Sequence, residues 1–135
     1  MLVADELSIP IVSEADIVEA RQRGRQLAVE SGFGVSDQAL IATAISELAR
    51  NILQYAKRGE VVISAERRGN RAGVGVVASD RGPGIADLTR ALEDGFSTGN
   101  GLGLGLPGTR RIMDEFELES EVGGGTRVTV KKWVV

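Results

Sequence analysis

The chain changes its apolar period several times, and each change marks an element. Leu7, Ile9 and Ile11 alternate with polar or small residues around Pro10, a residue confined to sheet edges, and predict a short edge strand. Ser13 followed by Asp16 has the form of a capping box, and Ile17, Ala20, Gly24, Leu27 and Ala28 then recur at helical spacing up to Gly32. A second helix starts at Ser36 and Asp37, carries Ile41, Ile45, Leu48, Ile52 and Tyr55 on one face, and is ended by Gly59. The β-branched stretches 61–66 and 72–79, joined by a turn at Gly69 and Asn70, read as an antiparallel pair. Residues 80–108 are rich in turn formers, with helical character only around 87–93. Helical period returns from Pro107 through Ile112, Met113 and Phe116, the proline standing where a first turn tolerates one.

The C-terminal stretch reads as a hairpin. Leu118, Ser120 and Val122 alternate with glutamates, and after Gly123–Gly125 the alternation resumes from Thr126 to Lys131. A three-residue loop sets Glu121 opposite Arg127 and Glu117 opposite Lys131; such pairs contribute about 0.2–1 kcal/mol each, so these charges read as a solvated face and not as a site. Helices first and mostly antiparallel strands afterwards predict one α/β domain over residues 1–135, a two-layer sandwich of a mixed, mostly antiparallel sheet with helices on one face.

Composition narrows the chemistry. The chain has neither His nor Cys, which removes imidazole bases, His or Cys metal sites, thiol nucleophiles and disulfides. Its net charge of −3 gives no electrostatic reason to hold nucleic acid or an anionic membrane surface. The N-terminal residues are acidic where a secretory signal is basic, and no apolar run reaches the roughly 18 residues of a membrane span, so a cytoplasmic location is expected. Glycine is the outlier: 18 residues, of which eleven lie between Gly82 and Gly125.

Four segments carry candidate chemistry. Glu47 and Asn51 are four apart on the second helix, at the border of its apolar stripe; a solvated Glu47 paired with Arg50 is one reading, a base beside a cation-binding amide the other. Asp80, Gly82 and Gly84 follow a central strand, either as a tight turn or as a carboxylate that accepts from an exocyclic amine while glycines let backbone lie close to a flat ring. Gly101, Gly103, Leu104 and Gly105 lead into the third helix, where exposed amides suit a phosphate chain. Gly125 and Thr126 open the final strand, where the Thr126 hydroxyl adds a polar group. No P-loop lysine signature is present.

In this order, Glu47-Leu-Ala-Arg-Asn51, Asp80-x-Gly82-x-Gly84, Gly101-Leu-Gly103-Leu-Gly105 and Gly125-Thr126 resemble the four boxes of the GHKL superfamily of ATP-binding domains. The resemblance implies the Bergerat fold, with a lid between the second and third boxes. Thr43 to Asn51, Glu93 to Thr98, Gly105 to Gly108 and Met113 to Phe116 resemble the bacterial serine-protein kinases that control alternative sigma factors, in particular the switch kinases of the stressosome. That resemblance implies ATP and Mg2+ as cofactors, Asn51 as metal ligand, Asp80 as adenine selector, and Glu47 as the catalytic carboxylate. It also implies STAS-domain scaffold or antagonist proteins as substrates and a metal-dependent serine phosphatase as a second partner. Anti-sigma kinases tend to carry NAxxHA after the catalytic glutamate, where this chain reads Asn51-Ile-Leu-Gln-Tyr-Ala56. An anti-sigma kinase and a nucleotide-gated binding module without catalysis are the alternatives.

Overall fold

The computed structural model describes residues 6–84 and 105–135. A five-stranded sheet in the order β1-β2-β3-β5-β4 is built from β1 (Glu6–Ile11), β2 (Gly59–Arg68), β3 (Arg71–Asp80), β4 (Glu115–Glu121) and β5 (Gly125–Trp133). Every strand pairing among the described residues is antiparallel, so the mostly antiparallel sheet expected contains no parallel pair there. Three helices, α1 (Glu14–Ser31), α2 (Val35–Asn51) and α3 (Gly105–Ile112), cover one face. The Gly101, Gly103 and Leu104 positions, the helical character around 87–93 and most of the expected lid lie outside the described residues.

The core lies between the layers because alternate residues of each strand point the same way. Ile9 and Ile11 of β1, Val61 and Ile63 of β2, Val74 and Val76 of β3, and Val128 and Val130 of β5 are buried against Ile41, Ile45 and Leu48 of α2. Burial of each such aliphatic side chain is worth about 1.5–3 kcal/mol, more than any surface ion pair in the chain. α2 is the central helix, packed by α1 on one side and α3 on the other, which is why residues 44–49 are buried almost without interruption. The capping box of α1 forms as expected: Asp16 Oδ2 accepts from the N–H groups of Val12 and Ser13 at 2.8 and 3.0 Å.

Several expectations shift. α2 starts from Gly34 in an extended conformation rather than from Ser36, and it ends at Asn51, where Ile52–Ala56 continue as one π-helical turn closed by Lys57 at φ +75°. The wider π spacing takes the next residues out of 3.6-residue phase, so Tyr55, placed by periodicity on the apolar face, is 45% exposed. α3 stops at Ile112, and Phe116 belongs to β4. In the last hairpin Glu121 faces Gly125, Glu119 faces Arg127, Glu117 faces Thr129 and Glu115 faces Lys131, two residues away from the predicted register. The strand runs on to Glu121 and the turn closes early through the Gly124 N–H to the Glu121 carbonyl at 2.8 Å. A two-residue slip keeps every side chain on its face, so the glutamates remain on the side away from the helices.

That outer face is held at one corner by Trp133, the chain's one tryptophan, which is buried beneath the Arg68 guanidinium 4.4 Å from the ring centroid. Its indole N–H donates to Glu115 Oε2 at 2.8 Å, and the same oxygen accepts from Arg68 Nη1 at 2.8 Å. These two hydrogen bonds, Trp133 first and Arg68 second, hold the Glu115 carboxyl below its ordinary pKa.

Candidate functional site

Two poles of the site come from different elements. At the first, Glu47 is buried on α2 although it is charged. Its Oε2 pairs with Arg50 Nη1 at 2.7 Å, and its Oε1 accepts from the backbone N–H of Gly105 at 3.2 Å, at the first residue of α3. The expected arginine partner exists, but Glu47 is buried rather than solvated, and it sits at the glycine-rich entry of a helix. Asn51 lies one turn further along α2, half-buried at the step from α-helix to π-helical turn. Turns of this type recur at functional sites because they re-aim the side chains around them.

At the second pole, Asp80 ends β3. Its Oδ1 accepts from the Gly82 N–H at 2.8 Å, an Asx turn that carries the chain out of the sheet. Gly82 packs directly on the π-helical turn: a Cβ there would meet that of Ala56 at 2.6 Å, so only glycine lets the Asp80 loop rest on the segment that follows Asn51. Gly84 lies against the Glu121 backbone, and the Pro83 carbonyl takes the Gly123 N–H at 2.8 Å, which ties this loop to the turn of the last hairpin. Gly125, at φ +92°, would drive a Cβ to 2.1 Å from the Asp80 carbonyl oxygen.

Thr126 is the direct cross-strand neighbour of Asp80, and Ser120 is the neighbour of Thr126 on its other side. Asp80, Thr126 and Ser120 therefore form a polar row across three strands, on the helix-covered face, beyond the end of the apolar rows. The Thr126 and Ser120 hydroxyl oxygens are 2.9 Å apart. An open cleft of about 960 Å³ lies at this end of the sheet, lined by Asp80, Gly125 and Thr126 and also by Ser79, Glu119 and Arg127 of the face away from the helices. Sequence reasoning missed Ser120; its alternation with Leu118 put it on the right face, but only the true register places it beside Thr126. Among the described residues no group of three or more acidic side chains could hold a metal ion by itself.

Closely packed glycines, a carboxylate at a strand end and a carboxylate–amide pair on the central helix together suit a nucleotide-dependent enzyme. Residues 36–134 match the family described as histidine kinase-, DNA gyrase B- and HSP90-like ATPase, and the chain belongs to that family. Within it the chain falls among the serine/threonine-protein kinases: it is 52% identical to the serine/threonine-protein kinase RsbT of Bacillus subtilis (strain 168), over 96% of this chain and 98% of that protein. It is also 33% identical to the anti-sigma F factor of Thermoanaerobacter sp. (strain X514), over 74% of this chain and 73% of the other. Among solved structures, the RsbU and RsbW domains of Rv1364c from Mycobacterium tuberculosis superpose with a TM-score of 0.61 at 23% identity, covering 94% of this chain and 32% of that longer one. The mycobacterial sensor histidine kinase MprB gives 0.56 at 16%, over 94% and 97%. These two likenesses bear on the fold alone.

Proposed function

We propose that this kinase phosphorylates a serine on a STAS-domain scaffold or antagonist protein and that the phosphorylated product releases it to engage a metal-dependent serine phosphatase. The observation that carries the catalytic part is Glu47, a carboxylate buried at the mouth of α3 one helical turn from Asn51. A module that only bound nucleotide has no use for a carboxylate there.

ATP with Mg2+ supplies the transferable phosphoryl group when bound, and the described residues fit both. Gly82 and Gly125 leave backbone-lined space that a Cβ would fill, and Asp80 offers an acceptor at its edge. A hard cation takes oxygen ligands, and with no acidic cluster among the described residues Asn51 is the side chain assigned to it, the remaining ligands coming from phosphate and water. Asp80 accepts from the amine of adenine. Glu47 orients the substrate serine and takes the proton from its Oγ as the oxygen attacks, with Arg50 balancing the carboxylate's charge. Most catalysis in such a transfer is positioning and charge stabilisation. Gly101, Gly103 and Leu104 are assigned with Gly105 to the phosphate chain. No described helix is long and apolar enough to cross a membrane, and an ATP-using kinase of this kind is placed in the cytoplasm.

Incubation with labelled ATP and STAS-domain proteins from the same genome tests the reading. Transfer of label to a serine supports it. ATP binding without transfer to any STAS protein favours the binding module, and transfer only to an anti-sigma antagonist favours the anti-sigma kinase that the 33% relative represents.

A further inference from the structure

Two partners of the Ser120 hydroxyl make opposite demands on it. The Gly125 carbonyl oxygen, 2.9 Å away, can only accept, so Ser120 donates its proton to it. The Thr126 hydroxyl oxygen is also 2.9 Å from Ser120 Oγ, and with Ser120's one proton committed it is Thr126 that donates in this second bond. Thr126 is then left with lone pairs and no proton for anything else. It stands beside Asp80, a pure acceptor when ionised, as its direct cross-strand neighbour on the same face of the sheet. The polar row thus presents acceptors from two strands, with Ser120 behind them on the third.

We infer that Ser120 is a specificity-determining positioning residue: by taking the Thr126 proton it fixes Thr126 as an acceptor, so that the polar row reads a base carrying an exocyclic amine and rejects one carrying a carbonyl at the same position. An exocyclic amine has two N–H groups and satisfies both Asp80 and Thr126. A carbonyl oxygen meets two acceptors and leaves both unpaired, which is the stronger means of discrimination. Ser120 touches no reacting atom and acts through Thr126. The inference rests on the reading of the space beside Asp80, Gly82 and Gly125 as the nucleobase pocket.

Calorimetry of the full chain with Mg2+ and either ATP or inosine triphosphate, which differs by a carbonyl in place of the amine, separates the two ideas. The wild type prefers ATP. Ser120→Ala releases the Thr126 hydroxyl to donate into the cleft, and the preference narrows about tenfold, the weight of one hydrogen bond; Ser120→Thr, which keeps a hydroxyl, retains it. Thr126→Val, close in shape and free of any dependence on how Ser120 variants fold, also narrows the preference, because it removes the repelling acceptor. An unchanged preference in folded Ser120→Ala overturns the inference, and so does a preference that widens in Thr126→Val, which would make Thr126 a donor. Both of those results leave the nucleobase pocket standing. A wild type that binds neither nucleotide, or binds both equally, overturns the pocket reading and the inference with it.

Discussion

Glu47 Oε1 accepts from the Gly105 N–H at 3.2 Å while Oε2 holds Arg50 at 2.7 Å, so one buried carboxylate joins the central helix to the start of α3. The same side chain that is assigned to the serine proton therefore also fixes the backbone at the end of the glycine-rich segment.

Glu47→Gln separates these duties, because an amide oxygen still accepts from Gly105 while the base is gone. Phosphorylation of the proposed STAS substrate should fall by a factor of about 100 to 10,000, with ATP affinity changed little. Initial rates with labelled ATP, alongside melting curves, decide it. A folded Glu47→Gln protein that transfers at the wild-type rate removes Glu47 from the catalytic role.

At the other pole, Asp80→Asn keeps an oxygen for the Gly82 N–H and so leaves the turn intact. The loss falls on the ligand instead: ATP affinity should drop by about 1.5–3 kcal/mol, the range for a hydrogen bond to a charged group. Titration with ATP measures it directly, and an unaltered affinity rules out Asp80 as the adenine selector.

Gly123 and Gly125 make a matched pair for stability. Both have positive φ, +80° and +92°, but a Cβ on Gly123 points into open space whereas one on Gly125 strikes the Asp80 carbonyl. Gly123→Ala should cost about 1 kcal/mol from backbone strain alone. Gly125→Ala should cost clearly more and displace Asp80, lowering ATP affinity together with the melting temperature. Equal melting temperatures for the two variants contradict this.

Glu115 sets an acid limit that Trp133 can report. Its pKa is lower in the folded chain than in the unfolded one, so its contribution to stability is fully present above the ordinary glutamate range, near pH 4.3, and is lost as pH falls through the folded value. Thermal unfolding followed by Trp133 fluorescence should show wild type and Glu115→Gln differing most above pH 5 and converging in acid. Curves that stay parallel down to pH 3 exclude this carboxylate as the source.

On α1, Arg21 and Arg25 are exposed one turn apart, while Arg23 is drawn to Glu19 at 3.6 Å. Arg21 and Arg25 are predicted to meet an acidic surface common to the proposed substrate and the proposed phosphatase. Reversing both charges should weaken binding to each partner, most of all at low salt where exposed charges are least screened. Partner affinities that do not move would leave these arginines as ordinary solvated helix residues.

Where one period persisted, the sequence was readable. Glu47 and Asn51 stay four apart on a regular helix, and Asp80 ends a strand in which Val74, Val76 and Ala78 keep a period of two, so both landed where spacing put them. Tyr55 did not, because the π-helical turn changes the phase with no local residue announcing it. Phe116 satisfies helical and strand spacing alike, and only pairing of β4 with β5 decides between them. Ser120 was hidden by the hairpin register, which turns on which of Val122 to Gly125 closes the loop, and alternation alone is blind to a slip of two.

The two strands that border the sheet have a consequence for how the protein meets others. β1 carries Pro10, which lacks an amide proton to share, and β4 displays Glu115, Glu117, Glu119 and Glu121 in a row, so a second copy brought alongside would set like charges together. Strand addition makes long-lived unions, stitched by many backbone bonds that must break in concert. For the partner exchange proposed above, borders closed to annealing leave side-chain contacts, which break one at a time, as the means of association.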